Sequence, residues 1–137
     1  MRVFLDTNVI VSAHVARGLC ADLMRRVLAE HTLLVGEVVL VELRRVLRGR
    51  LRVPAELVAQ VERDLRNETV VPKPKAPSAL PIRDPDDRWI VASAEAAKAD
   101  LLVTGDQDLL SVAGQASLPI LSPRAAWERL SQAQGVE

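Results

Sequence analysis

Aromatic residues are almost missing from this chain: Phe4, Trp89 and Trp127 are the whole set, and tyrosine is absent. Folds that hold single strands by stacking successive bases on aromatic platforms need more rings than this. A nucleic-acid substrate would therefore have to be held through its phosphates and through metal ions. The one cysteine, Cys20, cannot form an internal disulfide. It falls mid-pattern in a helix, with no histidine at a motif-like spacing, and reads as a buried structural thiol. The two histidines, His14 and His31, lie in or at the ends of helices without a partner pattern, so no histidine-based hydrolytic scheme is supported. Basic and acidic residues balance at 18 each, and net charge selects neither an acidic nor a basic partner. The chain enters a strand at once with no signal-peptide core, and no apolar run approaches a membrane span, so the cytoplasm is the expected location.

What remains is an ordinary globular composition, 49% hydrophobic and 26% charged over 137 residues, long enough for one domain with a real core. No repeat or long linker divides it, so residues 1–137 are expected to form a single unit. The pattern alternates. Strands are expected at 2–5, 33–35, 69–71, 101–103 and 119–121. Helices are expected at 9–16, 19–29, 38–47, 54–67, 84–99, 106–112 and 123–132, with Asp84 an N-cap and Pro85 at the first helical position. Residues 72–85 hold five of the eight prolines, which marks an extended surface loop. Short β runs alternating with helices imply a parallel sheet covered on both faces, an α/β fold.

Against that frame four acids stand where hydrophobic runs begin or end. Asp6 closes Val3-Phe4-Leu5, Glu42 sits inside the apolar stretch 38–47, Asp87 opens Trp89-Ile90-Val91-Ala92, and Asp106 follows Leu101-Leu102-Val103-Thr104-Gly105. A carboxylate is costly to take out of water unless it is paired or binds a metal. Asp6 and Asp106 come directly after strands, at the carboxyl edge where ligands of such sheets bind. Asp87 shares a helix face with Ile90, Val91 and Ala94, above the stripe that faces the core. Asp86 shares its face with Trp89 and Ser93 and is less clearly inward. Helix capping competes as an explanation for Asp84, Asp86, Asp87, Asp106 and Asp108. Asp6 is expected to have no such local duty.

These residues resemble the PIN-domain nuclease family. The resemblance rests on Asp6-Thr7-Asn8-Val9-Ile10 after the first strand, on Val41-Glu42-Leu43, on the stretch from Asp84 to Ala94 around Asp87, and on Thr104-Gly105-Asp106-Gln107-Asp108-Leu109. It runs collinearly from residue 1 to about residue 122. It implies a three-layer α/β/α sandwich with a central parallel sheet, and an acidic cluster that binds Mg²⁺ or Mn²⁺ and cuts RNA. Small prokaryotic members are often toxins neutralised by a co-encoded antitoxin, so an antitoxin partner and a homodimer are implied as well. A homodimer would draw on apolar helix surface, 19–28 being one candidate. Carried across position by position, the catalytic and metal-binding set is Asp6, Glu42, Asp87 and Asp106, with Asn8 and Thr104 supporting and Asp86 and Asp108 as substitutes. One departure stands out: the helix bearing the Glu commonly starts with Ser or Thr in this family, and Gly36 stands near that place here.

Hard carboxylate oxygens suit Mg²⁺ or Mn²⁺. Four carboxylates alone would repel RNA, so the ion is needed for binding as well as for chemistry. Arg44, Arg45, Arg48, Arg50 and Arg52 follow Glu42 without an intervening acid and read either as phosphate contacts or as a solvated helix face. Arg88 is the basic residue nearest in sequence to Asp87. Two other readings compete. A non-catalytic PIN-like binding module shares the fold. An aspartate-nucleophile phosphatase also places an Asp after the first strand, but would want a second Asp where this chain has Asn8.

Overall fold

The computed structural model describes residues 1–135. Five strands form one sheet in the order β3-β2-β1-β4-β5, and every pairing is parallel. The strands are β1 (Arg2–Leu5), β2 (Thr32–Gly36), β3 (Thr69–Val71), β4 (Leu101–Val103) and β5 (Ile120–Leu121). Among the described residues seven α-helices connect and cover them: α1 (Thr7–Val15), α2 (Leu19–Glu30), α3 (Glu37–Arg45), α4 (Ala55–Arg66), α5 (Pro85–Ala96), α6 (Gln107–Leu110) and α7 (Pro123–Gly135). This is the expected α/β/α sandwich. Val3, Phe4, Leu5, Leu33, Leu34, Val35 and Leu101 to Val103 are fully buried, as strands of a sheet covered on both faces must be. The order places β2 on one side of β1 and β4 on the other, so the chain reverses its winding between β1 and β4. A crevice opens at the carboxyl ends of strands at such a point.

Most element ends shift by a few residues from the sequence reading, and three of the shifts have a clear local reason. Helix α1 begins two residues early, at Thr7, because Asp6 caps it: the Asp6 side chain accepts from Thr7 N–H at 2.7 Å. The helix expected over 38–47 ends at Arg45 and widens into a π turn, Val46–Arg50, closed by Leu51 N–H to Val46 C=O at 3.0 Å. The wider turn keeps Leu47 buried while the chain leaves for the next loop. Helix α5 stops at Ala96 instead of Ala99. Lys98 takes the left-handed conformation at φ 55 and Ala99 N–H reaches back to Ala94 C=O at 3.0 Å, which closes a helix end.

Helix α2 lays Leu23, Met24 and Val27 into the core and leaves Leu28 44% exposed. Most of the stripe proposed for self-association is thus spent inside the domain.

Gly36 ends β2 and precedes α3 with ordinary extended torsions, φ −79 and ψ 141, so its backbone does not require glycine. Space does: a Cβ there would meet the Phe4 ring at 2.9 Å. Gly36→Ser is therefore expected to destabilise by about 1–3 kcal/mol through overpacking, against a capping gain of only a few tenths. The urea midpoint should fall, and fall less in a Phe4→Leu background. An unchanged midpoint would show that the Phe4 ring yields freely.

Candidate metal and nuclease site

The side chains at the carboxyl edge are assembled by short local bonds. Asp6 is 2% exposed. Its Oδ1 caps α1, and its Oδ2 accepts from the Thr104 hydroxyl at 2.7 Å and from the Asn8 amide at 3.3 Å. Thr104, fully buried at the end of β4, also accepts from Asp106 N–H at 3.0 Å. Asn8 Oδ1 accepts from Gly105 N–H at 2.9 Å. The β1–α1 and β4–α6 junctions are thus stitched together, and Asp6 and Asp106 share one hydroxyl. Asp106 in turn caps α6 by accepting from Asp108 N–H at 2.8 Å.

Asp87 comes from the first turn of α5 on the face that carries Ile90, Val91 and Ala94, all buried. It is 8% exposed, and its Oδ2 is buried without a hydrogen-bond partner. Asp87, Asp106 and Asp108 each offer an oxygen within 4.8 Å of the others. Asp6 adjoins this trio through Thr104. Glu42, half-buried on α3, lies outside this trio, though its charge reaches Asp6. Asp86 is exposed on the neighbouring face of α5, with its N–H bound to the Asp84 side chain at 2.9 Å.

Crowding like charges in a partly dry site disfavours ionisation. Burial pushes the Asp6 carboxyl up to about 6, with the Thr104 and Thr7 hydrogen bonds opposing and the charges of Glu42 and Asp106 adding. Burial, then the neighbouring Asp106, pushes Asp87 up to about 8. Glu42 is raised as well, by burial first and by the charges of Asp86 and Asp84, against help from Thr7 and Arg45. The Thr7 hydroxyl is close enough to ease ionisation of Glu42, yet it forms no hydrogen bond of normal geometry.

One expectation needs correcting. Asp6 does have a local duty, as the cap of α1, because that helix starts at once after the strand. Arg88, the basic residue next to Asp87, donates its Nε–H to Ile82 C=O at 3.0 Å, fixing the proline-rich loop against α5. The arginine run divides. Arg44 grips Glu62 at 2.7 and 2.9 Å, and Arg66 joins Glu62 to Glu37. Arg48 and Arg50 are exposed in the π turn. His14 bonds Ile10 C=O at 2.8 Å and His31 the N-terminal amine at 3.2 Å, both structural contacts. Burial pushes the Cys20 thiol up, away from a reactive thiolate.

Sequence reading missed three contributors: Arg83, which reaches Asp108 at 3.1 Å while 87% exposed itself; Thr7, buried beside Glu42; and Lys73, whose ammonium lies 4.5 Å from the Trp89 ring centroid. Arg83 and Lys73 sit in or beside the proline-rich loop, where no periodicity reports direction. Thr7 follows a cap that was not foreseen.

The donor set suits a hard divalent cation: carboxylate oxygens only, converging on a partly dry corner that holds an orphaned carboxylate oxygen. The sequence matches the family model described as PIN domain over residues 2–108. The fold is similar to that of VapBC2 from Rickettsia felis bound to a DNA fragment from its promoter, with a TM-score of 0.63 at 18% identity over 89% of this chain and 98% of that one. It is also similar to FitAB bound to an IR36 DNA fragment, with a TM-score of 0.59 at 14% identity over 88% of this chain and 94% of that one. At such identities the likeness is one of fold alone. No curated protein matches the sequence.

Proposed function

Since the chain belongs to the PIN-domain family, we propose that it is a metal-dependent ribonuclease hydrolysing phosphodiester bonds at the corner where Asp87, Asp106 and Asp108 converge within 4.8 Å. That convergence, with Asp6 tied to it through Thr104, carries the reading. Asp6, Glu42, Asp87 and Asp106 are the residues assigned to hold Mg²⁺ or Mn²⁺. Asp108 joins them when Arg83 releases it, an exposed pair of little intrinsic strength. Asp86 stays outside, facing the adjoining cleft.

A bound divalent ion supplies charge to offset the phosphate oxygens and a water acidic enough to attack phosphorus. The chain's own residues make that possible. Thr104 and Asn8 hold Asp6 Oδ2 in one orientation, so the carboxylate need not be ordered when substrate arrives. Asp87, with its carboxyl pushed up to about 8, holds a proton at neutral pH until a cation replaces it. Without a cation the remaining negative charge turns RNA away.

RNA cleavage with purified protein is expected in Mg²⁺ or Mn²⁺ and none in EDTA, followed on single-stranded and hairpin RNA. Equal cleavage in EDTA would overturn the assignment. The two similar structures are both DNA-bound assemblies, one of them on promoter DNA. This supports the reading that the protein is a toxin component held by a co-encoded antitoxin in the cytoplasm. Within the described residues no helix is long and apolar enough to cross a membrane. We further propose a homodimer, for which Val15, Leu28, Leu51 and Leu57 supply exposed apolar surface. Sedimentation at micromolar concentration should give twice the monomer mass, and a monomer alone would exclude it.

A further inference from the structure

A cleft of about 260 Å³ opens beside the acidic corner, between α3, α5 and the start of the proline-rich loop. Val41, Glu42, Arg45, Lys73, Asp86 and Trp89 line it. We propose that this cleft seats one nucleobase of a single-stranded substrate, stacked on Trp89, next to the phosphodiester at the acidic corner. The proposal rests on the nuclease reading and adds to it a subsite built from this chain's own residues.

The cleft adjoins the corner through two acids. Glu42 lines the cleft, and its charge is felt at Asp6. Asp86 lines it from the residue before Asp87. A chain whose phosphate lies at the corner therefore has its adjoining base within reach of the cleft. The walls suit a base. Trp89 is half-buried, and Val41, on the facing helix, is 51% exposed, while the same helix buries Val39, Leu40 and Leu43 and half-buries Val38. The Lys73 ammonium stands over the indole at 4.5 Å, so that ring face is open to a charged and flexible group and not sealed by packing. Every base has a π face that can take this place.

The charges suit a nucleotide better than a peptide. Arg44, Arg66 and Arg83 are each bound to carboxylates. Arg45 and Lys73 form no ion pair among the described residues, and both lie on the cleft, where the Arg45 charge eases ionisation of Glu42. An apolar protein side chain would cover the ring and give neither cation a new partner. A nucleotide answers both needs: the base takes the ring, and the flexible lysine moves from the indole to the phosphate. The scarcity of aromatic residues rules out an extended stacking platform, not a single stack at the one place where it fixes register.

Binding of a labelled single-stranded hexaribonucleotide should be compared with that of an abasic strand of the same length, in Ca²⁺, whose loose coordination favours binding over turnover. The wild-type protein should bind the base-bearing strand roughly five- to a hundredfold more tightly. Trp89→Leu should bring that ratio to about one, and Trp89→Phe should keep most of it. Equal affinity of the wild-type protein for the two strands overturns the proposal even if Trp89→Leu fails to fold. Cleavage of RNA in Mg²⁺ is measured separately. Cleavage without base preference removes the subsite and leaves the nuclease. Base preference without cleavage in Mg²⁺ or Mn²⁺ removes the nuclease and leaves a nucleotide-binding cleft.

Discussion

Asp6→Asn is expected to lower RNA turnover by about a hundredfold or more in saturating Mg²⁺, with the circular dichroism spectrum unchanged. Loss of a group that only orients a metal ligand typically costs 10- to 100-fold, and Asp6 is assigned as a ligand itself. The fold should survive for a structural reason. Asparagine caps helices about as well as aspartate, so Thr7 N–H keeps its acceptor at the Oδ1 position. The damage is confined to the other end of the side chain. An amide NH₂ in place of Oδ2 confronts two donors, the Thr104 hydroxyl and the Asn8 amide, and carries no charge for a cation. Thr104→Val, which removes the hydroxyl shared by Asp6 and Asp106, belongs in the same experiment with the smaller loss expected of a supporting group. A wild-type rate in Asp6→Asn, measured as initial velocity on the same RNA, would show that the reacting phosphate lies elsewhere.

Strands and helices were legible because burial on both faces leaves continuous apolar runs in β1, β2 and β4, and because Pro85, Asp84 and the helical spacing of Ile90, Val91 and Ala94 mark α5 from start to inner face. Element ends were less so. The end of α5 depends on Lys98 adopting a left-handed conformation that lysine does not advertise. The π turn after α3 answers a tertiary need, the burial of Leu47. Gly36, a departure from family habit, makes sense only once Phe4 is seen against it.

The site was legible to the extent that sheet edges are. An acid directly after a buried strand lies at the carboxyl edge whatever else it does, which places Asp6 and Asp106, and helical spacing places Asp87. Sequence could not show that capping and clustering are compatible. Asp6 and Asp106 each use one carboxylate oxygen or neighbourhood to start a helix and still face the same corner. Nor could it show that Asp108 sits nearer to Asp87 and Asp106 than a count from the motif suggests, since that follows from the tight first turn of α6. Partners drawn from the proline-rich loop, Lys73 and Arg83, have no periodic signal at all.

In EDTA the wild-type protein is expected to lose stability as pH rises from about 6.5 to 8, and Asp87→Asn is expected to abolish most of that loss. Asp87 has its folded pKa raised from 3.8 to about 8, by burial first and by Asp106 next. The native state therefore holds this proton more tightly than the unfolded chain. The stability it brings is fully present below the unfolded value and is lost as pH rises through the folded one. Asp6, raised to about 6, behaves the same way but has lost most of its proton by the time the window opens. Other groups have the opposite sign. His31 is lowered by burial and by the N-terminal charge, so it adds stability as pH rises toward its unfolded value of 6.5. Glu37 and Glu62 are lowered by their arginine partners and lose their contribution only in acid. Above about 6.5 the Asp87 proton is the main conformational titration in view, worth about 1.4 kcal/mol per pH unit while it lasts. Over the window this amounts to about 2 kcal/mol, or on the order of 5–10 °C in Tm for a domain of this size. Asp87→Asn keeps the shape, gives the orphaned Oδ2 position an uncharged group, and should melt above wild type at pH 8 in EDTA. Mg²⁺ should raise the wild-type Tm and flatten its pH profile, while moving Asp87→Asn much less, because a cation discharges repulsion that the variant no longer has. A wild-type Tm that is flat or rising from pH 6.5 to 8 in EDTA, or equal Mg²⁺ shifts in the two proteins, would mean that Asp87 does not share one crowded site with Asp106 and Asp6.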